Sequence, residues 1–506
     1  MDPPELPAVP ERPDAVDRPR IGVDEWVAQV EERRVSRRGL SGFLGRWWER
    51  TPGPLKLGLF VGVTATLPLS LNEADLFAFG IFILLYAVLA LGLNVVVGSA
   101  GLLDLGYIAF FGFGAYLYSF LSSTHAETVS EHTYRYSHHW PAEASIPTVI
   151  AASALLGLVL GFPSRRLLGD YLAIVTLFFG QAFVVFVNTA DPWGITNGPN
   201  GLADVDPLDF FGYRLTSLEQ NFYFLLGVFA VVVIALHFLD QSRTGRAWRA
   251  LREDPLAASA MTIPVNRLKL MAFAFGAAIA GLTGAVFAAI QTGAFPGNFD
   301  VSLLITIYAI VILGGTGSIP GVVIGAVMIV VPYELLDPAS DRGSLARVLF
   351  YGTVVAILVA KLRPWAKLGA VLSGLLALGL AVHALLAAFS PSWTSGAVAE
   401  VRATGEPAQG FAAAVEHWVV IPRGHDHFGE IAYLALVGAI IVLTQLRGWW
   451  RAAALVPTLY LGTIVWENIL AEQPAVTRLI LFGVLLIALM NARPQGLLGT
   501  ARVEIV

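Results

Sequence analysis

Residues 240–269 read DQSRTGRAWRALREDPLAASAMTIPVNRLK, a polar segment with long apolar stretches on both sides. It holds six cations against three anions, and an excess of Lys and Arg in a loop between membrane spans predicts the cytoplasmic side. Arg246, Arg249 and Glu253 are spaced by three and four residues, so they share one face of a short helix. A charged helix in this position is predicted to dock a soluble partner.

The composition is typical of an integral membrane protein. Of 506 residues, 56% are hydrophobic and 14% are charged, and the mean hydropathy is +0.68. A soluble protein carries roughly 25% charged residues. The chain has no cysteine, which excludes disulfides and thiolate metal sites. Apolar stretches of membrane-spanning length are predicted near 56–71, 75–97, 102–121, 146–162, 171–189, 221–239, 268–291, 301–314, 318–335, 346–361, 368–389, 429–446, 452–469 and 477–491.

The distribution of charge predicts the topology. Apart from two short loops without cations, alternate loops are basic, and the positive-inside rule places them in the cytoplasm. Their cations are those of 240–269 together with Arg165, Arg166, Lys361, Arg363, Lys367, Arg447, Arg451, Arg493 and Arg502. The predicted fold is therefore all-α, a polytopic helical membrane protein of about fourteen transmembrane helices with both termini in the cytoplasm.

Four regions are predicted along the chain. Residues 1–54 form a cytoplasmic N-terminal arm with an amphipathic helix at the membrane interface, and 55–365 form the membrane core. Two apolar spans, starting at 346 (ARVLFYG) and 477 (TRLILFG), are alike, and each closes on Arg-Pro. Residues 366–476 between them are predicted to be an additional four-span module, since their removal leaves the topology unchanged. Residues 477–506 contribute the last span and the C-terminus.

Two spans are interrupted by glycine and polar residues. Residues 98–114 read GSAGLLDLGYIAFFGFG, and residues 314–321 read GGTGSIPG. Broken helices near the membrane centre are tolerated where protein covers them or where they line a wet cavity, and paired breaks mark substrate sites in some transporters. For the second stretch, glycine used only for a tight helix crossing is an equal alternative.

The sequence lacks the motifs of several function classes. None of the four lysines (Lys56, Lys269, Lys361 and Lys367) follows a glycine, so a phosphate-binding P-loop is missing and ATP would have to bind another polypeptide. An ion-coupled carrier would use titratable groups inside its spans, and these are few: Asp104, His237, His383 and Glu467. The histidines of the outer loops lack helical metal-ligand spacing. We expect no metal, no cofactor bound by this chain, no catalytic residues and no enzyme activity.

Six motifs together resemble the second permease subunit of bacterial ABC importers for branched-chain amino acids. In order they are GLLDLGYIAFFGFGAY (101–116), GDYLAIVTLFFG (169–180), ITNGPNGL (195–202), GRAWRALRED (245–254), VILGGTGS (311–318) and ARPQGLLG (492–499). The resemblance covers residues 75–365 and the final span. It implies a permease in the bacterial plasma (inner) membrane, paired with a second permease, two cytoplasmic ATPase subunits that bind ATP and Mg, and an extracytoplasmic solute-binding protein, with no nucleic-acid partner.

The resemblance also implies two groups of site residues. The ATPase-coupling segment would consist of Gly245, Arg246, Arg249, Arg252 and Glu253. The translocation path would be lined or gated by Asp104, Gly106, Tyr107, Gln181, Thr196, Asn197, Gly198, Pro199 and Asn200.

This sequence departs from the family pattern at several positions. Gln181 and Val184 replace a Glu and an Arg, Asn197 replaces a Gly, residues 295–299 read FPGNF instead of Ser-Pro-Glu-Ser-Phe, and Thr262 replaces a Gly in the coupling loop. The lost charges leave the substrate open. A branched-chain or similar hydrophobic amino acid is expected, a same-family permease for urea or a short-chain amide is the alternative, and an ion-coupled secondary carrier is the alternative from another class.

Overall fold

A computed structural model describes most of the chain between residues 53 and 498. The described residues are 53–129, 132–164, 170–190, 196–335, 351–352, 354–355, 358–359, 365–389, 393–394, 414–415, 417–420, 422, 428–446, 449–470 and 496–498. The chain forms two compact units, Met1–Thr66 and Leu67–Val506. The described part of the first unit is helix α1 (Gly53–Ala65). The predicted interfacial helix within 1–54, most of the span near 346–361 and the span near 477–491 lie outside the described residues.

The second unit is built almost entirely of helices. Two short turns, Leu67–Ser70 and Glu73–Asp75, and a π-helical segment, Leu76–Ile81, lead into α2. The longer helices are α2 (Phe82–Asn94), α3 (Tyr107–Leu121), α4 (Ala142–Ser164), α5 (Asp170–Thr189), α6 (Leu218–Gln241), α7 (Arg243–Glu253), α8 (Pro255–Ala260), α9 (Val265–Gln291), α10 (Val301–Gly314), α11 (Ile319–Leu335), α12 (Trp365–Phe389), α13 (Phe428–Gln445) and α14 (Trp449–Val465).

The helical membrane class predicted from the sequence is confirmed. Within the described residues, eight helices are long and apolar enough to cross a membrane, and three shorter apolar helices cover Leu57–Ser70, Tyr107–Leu121 and Ile319–Pro332. Together they coincide with eleven of the predicted spans. The span predicted near 452–469 corresponds to α14 and the π-helical turn Trp466–Leu470 that follows it. The total of fourteen stays a prediction.

Short antiparallel strands occur in the connections between helices. Strands β1 (Ser122–Val129) and β2 (His132–His139) form a hairpin in which Ser122 lies opposite His139, where the sequence predicted only a loop. Its β-branched and tyrosine residues favour strands, and backbone groups outside a helix must find other partners. Strand β3 (Leu202–Ala203) pairs with β6 (Gly293–Ala294), and β4 (Asp209–Phe210) pairs with β5 (Tyr213–Arg214).

Helix α9 is the centre of the helix packing, and α3 and α4 lie against it. Glycine makes the α3–α9 crossing close. A Cβ on Gly284 would overlap the carbonyl oxygen of Phe111 and lie 2.8 Å from the nitrogen of Ala115, and one on Gly114 would lie 2.7 Å from the carbonyl carbon of Gly281. Small residues allow such backbone contact between membrane helices. This crossing fixes α3, which carries the first predicted break at its start.

A larger side chain at this crossing should prevent α3 from packing against α9. We expect Gly284→Leu to destabilise the fold by about 3 kcal/mol or more, at the upper end for overpacked cores, because the opposing atoms are backbone. The matched control is Gly227→Leu in α6, where nothing lies within 4 Å of the position that a Cβ would take. The measurement is the monodisperse fraction of detergent-solubilised protein on size exclusion. Equal elution profiles for the two variants would contradict the role of this crossing.

Helices α12, α13 and α14 share a hydrophobic cluster of their own. It includes Leu375 from α12, Ala432 from α13, and Tyr460 and Ile464 from α14. Beside it, Tyr351 Oη donates a hydrogen bond of 3.3 Å to the buried Glu467. A neighbouring side chain therefore contacts this buried acid. The additional module over 366–476 stays a prediction.

Candidate functional site

The first break separates α2 from α3. After α2 the chain makes a π-helical turn, Val95–Ser99, and then an open segment that reaches Gly106. Neighbouring helices hold this segment by its backbone. Tyr308 Oη of α10 accepts from the Asp104 amide at 3.1 Å and donates to the Asp104 carbonyl at 2.7 Å, and Thr176 Oγ1 of α5 accepts from the Leu105 amide at 2.9 Å. Side chains of neighbouring helices thus satisfy the backbone groups that the break leaves without helical partners.

The side chain of Asp104 is buried inside this break. Its Oδ1 accepts from the Gly106 amide at 3.0 Å, whereas Oδ2 has no hydrogen-bond partner among the described residues. Asp104 lines a cavity of about 40 Å³ together with Phe110, Leu160, Pro163, Val175, Thr176, Phe179 and Phe273. A cavity needs about 10–15 Å³ to hold one water, so this space admits a small polar or cationic group. The site therefore offers one carboxylate oxygen to a ligand among apolar walls.

The second break is the turn between α10 and α11. Gly315 and Gly317 have φ values of 108° and 85°, which side chains rarely adopt. A Cβ on Gly314 would lie 2.8 Å from the nitrogen of Val322, so the two helices cross tightly. The glycines of residues 314–321 therefore serve a tight helix crossing, as in the alternative given for this stretch in the sequence analysis. Near the C-terminus, the amides of Leu497 and Leu498 donate to the carbonyls of Leu313 and Gly314 at 2.9 and 3.0 Å.

The predicted path residues 196–200 lie near the other end of α9. Thr196 is buried, and its Oγ1 accepts from the Gly198 amide at 3.3 Å. Asn197 has a φ of 57°, and its Nδ2 donates to the Gly201 carbonyl at 2.8 Å, ahead of the 3₁₀ turn Gly198–Asn200 that contains Pro199. The following strand β3 pairs with β6, just beyond the end of α9, whereas the Asp104 cavity touches Phe273.

The structure does not gather the predicted path residues into one pocket. Along α9, Phe273 and Gln291 are separated by about 27 Å at 1.5 Å per residue, and β6 begins two residues after Gln291. Tyr107 is buried, and its Oη donates to the Leu89 carbonyl at 2.9 Å. Gly106 packs against α5, with its Cα 3.3 Å from a methyl position on Gly180, while the adjacent Gln181 is exposed. Asp104, Gly106 and Tyr107 thus form one group, and 196–200 form another.

The predicted coupling segment forms α7, and its inner face is firmly anchored. Ser242 caps the helix by accepting from the Gly245 amide at 3.2 Å. Gly245 is buried where a Cβ would lie 2.7 Å from the carbonyl carbon of Asp240, so only glycine fits this corner. Trp248 and Leu251 are buried, and Trp248 Nε1 donates to the Leu268 carbonyl at 2.9 Å. Helix α7 is therefore tied to the start of α9.

The outer face of α7 is charged and exposed, as the spacing predicted. Arg246, Arg249 and Glu253 are all exposed, Arg246 Nη1 donates to the Gln241 carbonyl at 2.7 Å, and Arg249 forms an ion pair with Asp240. Helix α8 follows, with Leu256 and Met261 exposed by 81% and 75%. The outer face thus combines charges with two protruding apolar side chains.

Arg252 and Thr262 of this segment each have an unusual placement, the first in the direction of its side chain and the second in its backbone conformation. Arg252 does not share the exposed face, because its guanidinium points into the protein toward the two breaks. Thr262, where the family usually carries glycine, has a φ of 61°, a conformation that glycine adopts without steric cost. Thr262 therefore has a left-handed backbone conformation that residues with a side chain rarely adopt.

Sequence reasoning missed several residues around the breaks. Tyr308 and Thr176 hold the first break, but each is an ordinary polar residue of an apolar helix, and only the tertiary packing reveals its partner. Phe299 was noted only as a departure from a family pattern, yet it is fully buried in an aromatic cluster. Its ring centroid lies 5.5 Å from that of Phe111 and 5.8 Å from that of Tyr116. The cluster therefore packs the 3₁₀ turn Pro296–Phe299 against α3.

With this geometry established, comparison with known proteins identifies the family. The family model described as the permease component of branched-chain amino acid transport systems matches residues 76–358. The chain belongs to this permease family. The permease is 35% identical over 286 residues to the high-affinity branched-chain amino acid transport system permease protein LivM of Salmonella typhimurium, a match over 52% of this chain and 64% of that protein. The LivM protein of Escherichia coli K12 matches to the same extent.

The chain also resembles a second kind of permease of branched-chain amino acid transport systems. It is 26% identical over 284 residues to LivH of Salmonella typhimurium, which covers 54% of this chain and 88% of that protein. The permease spans 64% of the length of its LivM relatives. No solved structure matches. The proteins that it resembles are named as transport permeases rather than enzymes, in agreement with the sequence prediction.

Proposed function

We propose that this permease is the membrane subunit of an ATP-driven ABC importer for branched-chain or similar hydrophobic amino acids in the bacterial plasma membrane. The observation that carries the proposal is helix α7. Its inner face is locked to the body through Trp248 and Leu251, while its outer face presents Arg246, Arg249 and Glu253. A rigid helix with an exposed charged face is suited to receive a separate protein. That partner would be an ATPase, since the chain contains no P-loop of its own.

The proposed complex contains this permease, a second related permease, two cytoplasmic ATPase subunits that bind ATP and Mg, and an extracytoplasmic solute-binding protein. Its mechanism uses the anchoring of α7. When the ATPases close, α7 moves with the groove that holds it, as a rigid body. The hydrogen bond from Trp248 to Leu268 passes this movement to α9, against which α3 and α4 pack. The charged face of α7 would then both bind the ATPase and pass the movement of the ATPase to the permease.

Asp104 is the proposed contact for the ammonium group of the substrate. An amino acid needs polar partners for its charged groups and an apolar surface for its side chain. Asp104 offers Oδ2, and Phe110, Val175 and Phe179 supply apolar walls. A cavity of about 40 Å³ holds the ammonium end alone, so the movement transmitted from α7 would have to enlarge it. The names of the LivM relatives support an amino acid as the substrate.

Uptake into membrane vesicles tests the energy source. We expect accumulation of radiolabelled leucine to stop when ATP is depleted, and to persist when a proton uncoupler is added while ATP is maintained. Excess isoleucine and valine should compete, whereas urea and acetamide should not. Uptake that survives ATP depletion but collapses with the uncoupler would identify an ion-coupled carrier. Competition by urea or acetamide instead of valine would identify the alternative substrate class.

A further inference from the structure

Arg252 connects the coupling helix with both breaks. It lies in the last turn of α7, where its Nη1 donates to the Gly98 carbonyl at 2.5 Å and its Nη2 donates to Thr316 Oγ1 at 3.2 Å. Gly98 opens the break between α2 and α3, and Thr316 lies in the turn between α10 and α11. One planar guanidinium therefore joins three segments that are far apart in the sequence.

Two glycines make room for the Arg252 side chain. A Cβ on Gly101, which has a φ of 71°, would lie 2.9 Å from Arg252 Cγ. A Cβ on Gly317, which has a φ of 85°, would lie 2.8 Å from Arg252 Nη1. Both positions have a backbone conformation that favours glycine, and both lack a side chain where the arginine passes. Gly101 and Gly317, one from each break, thus leave the space that the Arg252 side chain occupies.

The two breaks are also tied to each other without Arg252. Asn94 Oδ1, at the end of α2, accepts from the Gly317 amide at 2.8 Å. A displacement of either break at this point is therefore passed to the other. Asp104 lies only a few residues beyond Gly98 and Gly101, in the segment held by Tyr308 and Thr176. A pull on Gly98 consequently acts on the backbone that carries the proposed substrate contact.

We propose that Arg252 is a positioning residue that transmits the movement of α7 to both breaks, and through them to Asp104. This inference rests on the proposed function, because it needs an ATPase that moves α7. It assigns Arg252 a role inside the permease, distinct from that of Arg246, Arg249 and Glu253, which face outward. A planar fork that donates to two acceptors at once maintains their relative orientation, which a lysine ammonium on a flexible stem does poorly.

A favourable interaction with the C-terminal end of the α7 dipole is the simpler role for an arginine in this turn. Any cation fulfils that role, so lysine would replace arginine without loss. The two-acceptor geometry makes the opposite prediction. Arg252→Lys should retain the charge but fail to hold Gly98 and Thr316 together.

The test uses the complete transporter, with its second permease and ATPases, reconstituted in proteoliposomes with the solute-binding protein and leucine. We expect Arg252→Met, which keeps the aliphatic stem against Gly101, to assemble with the ATPases and hydrolyse ATP. The amount of leucine transported per ATP hydrolysed should fall about tenfold in Arg252→Met, within the usual range of coupling between sites. In Arg252→Lys the same ratio should fall severalfold. The matched control is Arg267→Met, an exposed arginine at the start of α9 and outside α7, which should keep the wild-type ratio.

Thr316→Val provides a second variant that leaves Arg252 in place. It removes the hydroxyl acceptor while keeping the size of the side chain, and it should lower the transport ratio by a smaller factor. The double variant Arg252→Met/Thr316→Val should be no worse than Arg252→Met alone, because both remove the same contact. Should Arg252→Met fail to fold, Thr316→Val alone decides, and an unchanged transport ratio in that variant overturns the inference.

The remaining outcomes separate the inference from the proposed function. A wild-type transport ratio in Arg252→Met would overturn the inference and leave the proposed function intact, as would full activity of Arg252→Lys. Loss of ATPase association in Arg252→Met would also overturn it, because Arg252 would then act by docking. A wild-type permease that binds no ATPase would refute the proposed function itself.

Discussion

Arg249→Glu is expected to abolish association with the ATPase subunits while membrane insertion stays normal. Arg249 projects from the exposed face of α7, and reversal of its charge would place a carboxylate where the partner meets a cation. Loss of one partner of a desolvated charged pair at an interface costs about 2–5 kcal/mol, and charge reversal adds repulsion. The measurement is recovery of the ATPase with affinity-purified permease. The native sequence contains no cysteine, so a single cysteine at Glu253 would also report docking through crosslinking.

The ion pair between Arg249 and Asp240 requires a separate control. Asp240→Asn removes the ion pair and leaves Arg249 free to meet the partner. It should keep association near the wild-type level, since an exposed ion pair contributes only about 0–1 kcal/mol. The swap Asp240→Arg/Arg249→Asp restores the pair in reverse and should still fail to bind. Intact association of Arg249→Glu would refute the coupling role of this face. Loss in Asp240→Asn would show that the ion pair, rather than docking, determines the result.

The sequence was sufficient to predict the apolar helices and the exposed charged face of α7. Spans are apolar over nearly their whole length, so hydropathy alone located eleven of them in the described part of the chain. The spacing of Arg246, Arg249 and Glu253 depends only on helix geometry, and the structure exposes all three. The sequence also located both breaks, because glycine and polar residues interrupt an apolar pattern there.

Long-range contacts could not be predicted in this way. Arg252 has the same local spacing as its outward neighbours, and only the approach of Gly98 and Thr316 turns it inward. Asp104 and Thr196 were assigned to one path because both belong to family motifs, but they lie toward opposite ends of α9. The hairpin β1–β2 was missed because a loop rich in histidine and acidic residues has no apolar alternation.

Asp104→Asn is expected to lower leucine uptake by about ten- to a hundredfold, which corresponds to the loss of a hydrogen bond to a charged group worth about 1.5–3 kcal/mol. Asparagine retains an oxygen that accepts from the Gly106 amide, and it has nearly the volume of aspartate. It loses the negative charge that Oδ2 would present to an ammonium group. The measurement is the initial rate of uptake in vesicles at several leucine concentrations, with protein amounts matched.

Two comparisons distinguish substrate binding from a role in the local fold. Asp104 Oδ1 accepts a hydrogen bond from the Gly106 amide at the start of α3. If this hydrogen bond were the only role of Asp104, Asp104→Ala would impair uptake, whereas Asp104→Asn would not. Near-wild-type uptake in Asp104→Asn together with a loss in Asp104→Ala would therefore contradict the ammonium contact. The second comparison uses 4-methylpentanoate, which has the leucine side chain and carboxylate but neither an ammonium group nor a hydroxyl at the α-carbon. Its weak inhibition of uptake should be the same in wild type and Asp104→Asn, because it has no hydrogen-bond donor for the Asp104 carboxylate to bind.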